Sequence, residues 1–160
     1  MTEGRPDDPS PGRSGEAGRR ARLAGDPPSP WERAYGFSRI VRAGDFVLIG
    51  GTTSVDEDGA IIGETPYEQT VEVLRKITHE LERVGLGPAR VIQTRVYVTD
   101  ISRADEVGRA HGELFAAHRP LMTMVQVSAL IDPRMLVEIE TVAHVGAAEA
   151  LERGERPVSG

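Results

Sequence analysis

Two acids in one short strand carry the first chemical signal of this chain. The stretch LVEIETVAHV, Leu136 to Val145, alternates. Val137, Ile139, Thr141 and Ala143 project to one side, and Leu136, Glu138, Glu140 and Val142 to the other. An acid on a wet face has no special chemistry. An acid on a covered face holds its proton more tightly, and can activate water or bind a cation or an amine. The preceding stretch MTMVQVSAL, Met122 to Leu130, points to a covered face. One of its sides carries Met122, Met124 and Gln126 and the other Thr123, Val125 and Val127. Either is too apolar to lie bare over a whole sheet. Glu138 and Glu140 are therefore expected in or beside clefts between subunits.

Other chemistries drop out. The chain has no cysteine, which removes disulfides, thiolate nucleophiles and cysteine-held zinc, and fits a cytoplasmic protein. DEDG, Asp56 to Gly59, is an acidic turn without the further ligand spacing of a calcium loop, so no metal is expected. A net charge of −6 argues against a nucleic-acid surface, and so against a ribonuclease-like role. No apolar run is long enough to span a membrane. The arginine-bearing N-terminus lacks the apolar segment of a secretory leader.

The elements that must position the acids are visible in the pattern. A length of 160 residues suits one domain with tails. Residues 1–30 hold one Leu, no Val, Ile, Phe, Tyr or Trp, and six of the eleven prolines. Such a composition cannot offset chain entropy by burial, and it is read as a disordered tail. The folded domain is expected over 31–146, with a flexible tail over 147–160. Aromatic content is only 4%, so the core must be built from Val, Leu, Ile and Ala, and oligomerisation would help to bury it.

FSRIV (Phe37 to Val41) and FVLIG (Phe46 to Gly50) flank a turn at Gly44 and predict a hairpin. TPYE predicts a helix start, with Thr65 as cap, Pro66 first in the helix and Glu68 closing a capping box. Tyr67, Val71, Leu74, Ile77, Leu81 and Val84 continue it as an apolar stripe, and Gly85 ends it. VIQTRVYV, Val91 to Val98, predicts a strand. Asp100 turns the chain. Ser102 with Asp105 is expected to cap a second helix running to about His118, with His111 at the edge of its buried stripe. The last two strands are expected to form a second hairpin around IDPR. The order β-β-α-β-α-β-β predicts an α+β fold, a mixed sheet with two helices on one face.

With these residues in view, the chain resembles the YjgF/RidA family of enamine/imine deaminases from about Tyr35 to Val145. The resemblance is carried by GFSRIVRAGDFVLIGG, EQTVEVLRKITHELERVGLGPARVIQTRVYVTDIS, RPLMTMVQVSAL and VEIETVA, in that order and spacing. It implies a chorismate-mutase-like fold and a homotrimer with its sheets facing inward as a central barrel. It also implies inter-subunit clefts for a small-molecule ligand. In deaminase members an arginine grips the carboxylate of a 2-imino or 2-enamino acid, a glutamate places the attacking water, and no metal or cofactor is needed.

Carried over, the glutamate is Glu138. The family arginine falls on Met122, the pocket tyrosine on Phe37 and the serine on Gly50. Met122 has neither charge nor donor, whereas a charge-assisted hydrogen bond is worth roughly 1.5–3 kcal/mol. Standard 2-imino-acid deamination is therefore not expected. Arg119, just before the strand, and Arg39, on the strand face of Phe37, are the candidates to replace the missing clamp. Otherwise Arg119 serves helix-terminal carbonyls and Arg39 pairs with a surface acid. His111 offers a general base if its helix edge faces a cleft, and is otherwise a satisfied interface histidine. Two functions follow: a diverged hydrolytic or deaminase-type enzyme using Glu138, or a catalytically inactive metabolite-binding or regulatory trimer.

Overall fold

The computed structural model describes residues 20–26 and 28–146. Six strands form one sheet: β1 (Arg20–Leu23), β2 (Ile40–Ala43), β3 (Phe46–Thr52), β4 (Val91–Val98), β5 (Leu121–Gln126) and β6 (Val137–His144). Their order across the sheet is β1-β2-β3-β6-β4-β5. Three helices accompany them: α1 (Pro30–Tyr35), α2 (Pro66–Arg83) and α3 (Ala104–Phe115).

α2 starts where its capping box places it. Thr65 Oγ1 accepts the Glu68 amide at 3.2 Å, and the Glu68 carboxylate accepts the Thr65 amide at 3.0 Å. α2 buries Val73, Leu74, Ile77 and Leu81, and α3 buries Val107 and Phe115. They meet Ile40, Val47 and Ile49 of the first hairpin, Val96 and Val98 of β4, and Val137, Ile139 and Ala143 of β6. Each Val, Leu, Ile or Phe side chain of this set contributes roughly 1.5–3 kcal/mol when fully buried. The acids of β6 thus lie on the helix-free face, as the alternation predicted. On that face Leu48 is 41% and Val125 43% exposed.

Three expectations are corrected. The fold begins earlier than composition indicated, because β1 pairs antiparallel with β2, with Leu23 opposite Ile40. Two buried glutamates hold the segment that follows. Glu32 of α1 accepts the amides of Gly25 at 2.8 Å and Ser29 at 2.9 Å, and Glu80 of α2 accepts that of Asp26 at 3.0 Å. Charge-assisted hydrogen bonds supply what apolar burial does not. Of the expected tails over 1–30 and 147–160, residues 1–19, 27 and 147–160 lie outside the described residues.

Second, β5 and β6 are not a hairpin. The crossover through α3 returns β5 parallel to β4, and β6 runs antiparallel between β3 and β4. Third, Ser102 does not cap α3. Asp100 accepts its amide at 3.0 Å and its hydroxyl at 2.6 Å, which fixes a 3₁₀ turn over Ile101–Arg103. α3 then ends at Phe115, short of His118.

Candidate functional site

β3 carries an extra residue between Ile49 and Thr52, where it opposes β6. This bulge brings the bare backbone of Gly51 against Glu138. A Cβ at Gly51 would stand 2.0 Å from Glu138 Oε1 and 2.9 Å from the carboxyl carbon. Only glycine leaves room for the carboxylate in this position. Burial first, and the Glu140 carboxylate second, push the Glu138 pKa above its ordinary value, while Arg39 opposes them. Among the described residues no donor hydrogen-bonds the Glu138 carboxylate.

Arg39, immediately before β2, donates to the Gly51 carbonyl, and its guanidinium lies 3.7 Å from the buried Glu32 carboxylate. Its pairing is therefore with a buried acid, not the surface acid of the sequence alternative. The guanidinium carbon is 6.0 Å from the Phe37 ring centroid. On α2, Lys76 donates to the carbonyls of Thr53 at 2.8 Å and Val55 at 2.6 Å. Burial lowers the Lys76 pKa, and the charge of Arg39 adds to that. A cavity of about 610 Å³ joins these groups, with Trp31, Tyr35, Phe37, Arg39, Lys76 and Glu138 in its wall.

Of the residues singled out from sequence, Glu138, Phe37 and Arg39 meet at this cavity. Gly50 adjoins it, its amide bonded to the Arg39 carbonyl at 3.0 Å, but the close approach is to Gly51. Glu140 shares the face of Glu138, yet lies 3.6 Å from Arg95 and accepts from the Tyr97 hydroxyl at 3.3 Å.

The other candidates lie elsewhere. Met122 stands opposite Thr94 of β4, whereas Glu138 stands opposite Tyr97. Thr94 and Tyr97 are three residues apart on β4 and so point to opposite faces, and one chain does not hold Met122 and Glu138 in a common slot. Arg119 has φ 47° and donates to the Ala116 carbonyl at 3.4 Å, so it serves a helix terminus. His111 is buried, 2.9 Å from Thr94 Oγ1, with its ring centroid 4.6 Å from that of Phe115. Burial lowers its pKa, and it packs α3 onto β4 rather than facing the cavity.

Sequence reasoning missed Trp31, Tyr35, Lys76 and Gly51. The Gly50-Gly51 doublet inside a strand was the one local signal, since glycine there marks a bulge or a close approach. Among the described residues no group of three or more His, Asp or Glu is placed to hold a metal ion, and no helix is long and apolar enough to cross a membrane.

A mixed sheet with helices on one face, and a glutamate laid over a glycine bulge at its end, define a small α+β protein with a ligand-sized cavity. The chain belongs to the YjgF/RidA family: the family profile described as Endoribonuclease L-PSP matches residues 29–145. An uncharacterized protein of Streptomyces coelicolor is 43% identical over 123 residues, covering 76% of this chain and 91% of that one. A RutC family protein of Pyrococcus horikoshii is 32% identical over 110 residues, covering 68% and 86%. The crystal structure of Rv2704 from Mycobacterium tuberculosis, a member of the YjgF/YER057c/UK114 family, superposes with a TM-score of 0.71. It is 43% identical and covers 79% of this chain and 99% of that chain.

Proposed function

We propose that this chain is a hydrolase of the deaminase type, acting on an imine, an enamine or a related carbonyl compound. The observation that carries the reading is the Glu138 carboxylate, partly buried, without a hydrogen-bond donor among the described residues and open to a cavity. A carboxylate whose pKa is raised is a better base toward water near neutral pH. Glu138 accepts a proton from water as the oxygen attacks the carbon of the C=N bond, and then returns it to the departing nitrogen. A positioned general base contributes typically 10²–10⁴-fold.

The active form in this reading is a cytoplasmic homotrimer whose clefts lie between subunits. Support comes from the exposed apolar side chains of the helix-free face, Leu48 and Val125 among them. A trimer can bring Met122 of one copy toward Glu138 of another, which one chain cannot. The family profile's name points to RNA cleavage, but a net charge of −6 disfavours a polyanion, so a small substrate is preferred. The test is Glu138→Gln, assayed for ammonia release from imines generated in situ, with the assembly mass followed by light scattering. We expect at least a hundredfold loss with the mass unchanged. Full activity in the variant overturns the reading.

A further inference from the structure

We infer that the cavity selects an organic cation without a carboxylate: an ammonium, or the iminium derived from a primary amine. The inference rests on the Glu138 reading above and names its substrate class. The basic side chains in the cavity wall are Arg39, Arg75 and Lys76, and each is already engaged. Arg39 serves the Gly51 carbonyl and Glu32. Arg75 makes two hydrogen bonds of 2.7 Å to Glu72. Lys76 spans the Thr53 and Val55 carbonyls. His79 lies 3.8 Å from Asp26. An incoming carboxylate would find these cations in use and would meet Glu138 across a partly desolvated space, where like charges repel strongly.

A cation meets the opposite situation. Glu138 is an acceptor with no donor among the described residues. Arg39 offsets it only in part, because its guanidinium also faces Glu32. Trp31 and Tyr35 add aromatic rings to the same wall, beside Phe37, whose ring already lies 6.0 Å from the Arg39 guanidinium, and a ring face attracts a cation by about 0.5–2 kcal/mol. A volume of about 610 Å³ lies within the usual range for a metabolite-sized ligand.

The chemistry balances without a cofactor. Water adds its oxygen to the iminium carbon, the carbon–nitrogen bond breaks, and a carbonyl product leaves with ammonium. The ammonium carries the two hydrogens of the iminium and the two of water, and no electrons are exchanged. The reaction class that must supply such a substrate is dehydrogenation of a primary amine, not of an amino acid.

Trp31 is the sole tryptophan and stands in the cavity wall, so its fluorescence reports occupancy. The full chain is titrated near neutral pH with benzylammonium and, separately, with phenylacetate at equal ionic strength. We expect benzylammonium to shift the emission saturably, with a Kd at least tenfold below that of phenylacetate. Glu138→Gln, shown by circular dichroism to be folded, should lose that preference. Equal or tighter binding of phenylacetate overturns the proposal, as does an emission that neither probe moves or a preference that survives in the folded variant. If the variant misfolds, the preference of the unaltered chain decides alone. The hydrolase reading fails by a separate result, the retention of hydrolysis by Glu138→Gln.

Discussion

The Glu138 carboxylate lies in the space that a side chain at Gly51 would fill, 2.0 Å from where a Cβ would stand. Gly51→Ala must therefore displace the carboxylate, which is the flexible end of a side chain and can swing away. The fold is expected to tolerate the change, with a melting temperature within a few degrees of the parent. Hydrolytic kcat/KM should fall at least tenfold, because displacement of a base by about 1 Å costs that much or more. Steady-state kinetics beside a thermal melt separates the two effects. Unchanged kinetics would show that Glu138 does not need its place on the bulge.

The same carboxylate burdens the fold near neutral pH. Its pKa is raised above the ordinary 4.5 by burial and by Glu140. The folded state therefore binds the proton more tightly than the unfolded state. The stabilisation from protonation is fully present below 4.5 and is lost as pH rises through the folded value. Glu138→Gln should raise the melting temperature by a few degrees above that window and much less below it. Scanning calorimetry across pH checks the sign, and a variant less stable at neutral pH would contradict it.

His111 predicts the opposite slope. Burial depresses its pKa below the ordinary 6.5, so folding favours the neutral ring. Its contribution is present above 6.5 and is lost as pH falls through the depressed folded value. Removing it also strands the Thr94 hydroxyl, 2.9 Å away. His111→Ala should cost about 1–3 kcal/mol at neutral pH for the unsatisfied group, plus lost packing on Phe115. It should also flatten the acid limb of the stability curve between pH 6.5 and the depressed value. Denaturant melts at several pH values measure both.

Val125 tests the assembly. It stands opposite Tyr97 on the helix-free face and is 43% exposed in the single chain. Val125→Arg should leave the protomer folded, because the side chain is not in the core, and should convert the proposed trimer to a monomer by burying an unpaired charge at the interface. Light scattering reads the mass directly. A variant that stays trimeric would show that this face is not the one covered.

The parts of the fold that are local in sequence were legible. Thr65, Pro66 and Glu68 announce α2, and the alternation from Val137 to Ala143 assigns the acids of β6 to the correct face. β1 and α1 were hidden because Glu32 and Glu80 hold the chain at Gly25, Asp26 and Ser29 through backbone amides, and hydropathy does not register such bonds. The pairing of β5 was hidden because closeness in sequence favoured a hairpin with β6, whereas the crossover through α3 delivers it to β4. For the site, Glu138, Phe37 and Arg39 could be named in advance. Lys76, Gly51 and Trp31 could not, since they converge from α2, the β3 bulge and α1 only once the sheet has formed.

The placement of β6 between β3 and β4 has a consequence for biosynthesis. Of the six described strands, the one lying between β3 and β4 is the last to leave the ribosome. Until residue 144 has emerged, the β1–β3 ribbon and the β4–β5 pair have no strand between them, and their inner edges stay unpaired. Closure of the sheet and delivery of Glu138 to its glycine niche are then one event.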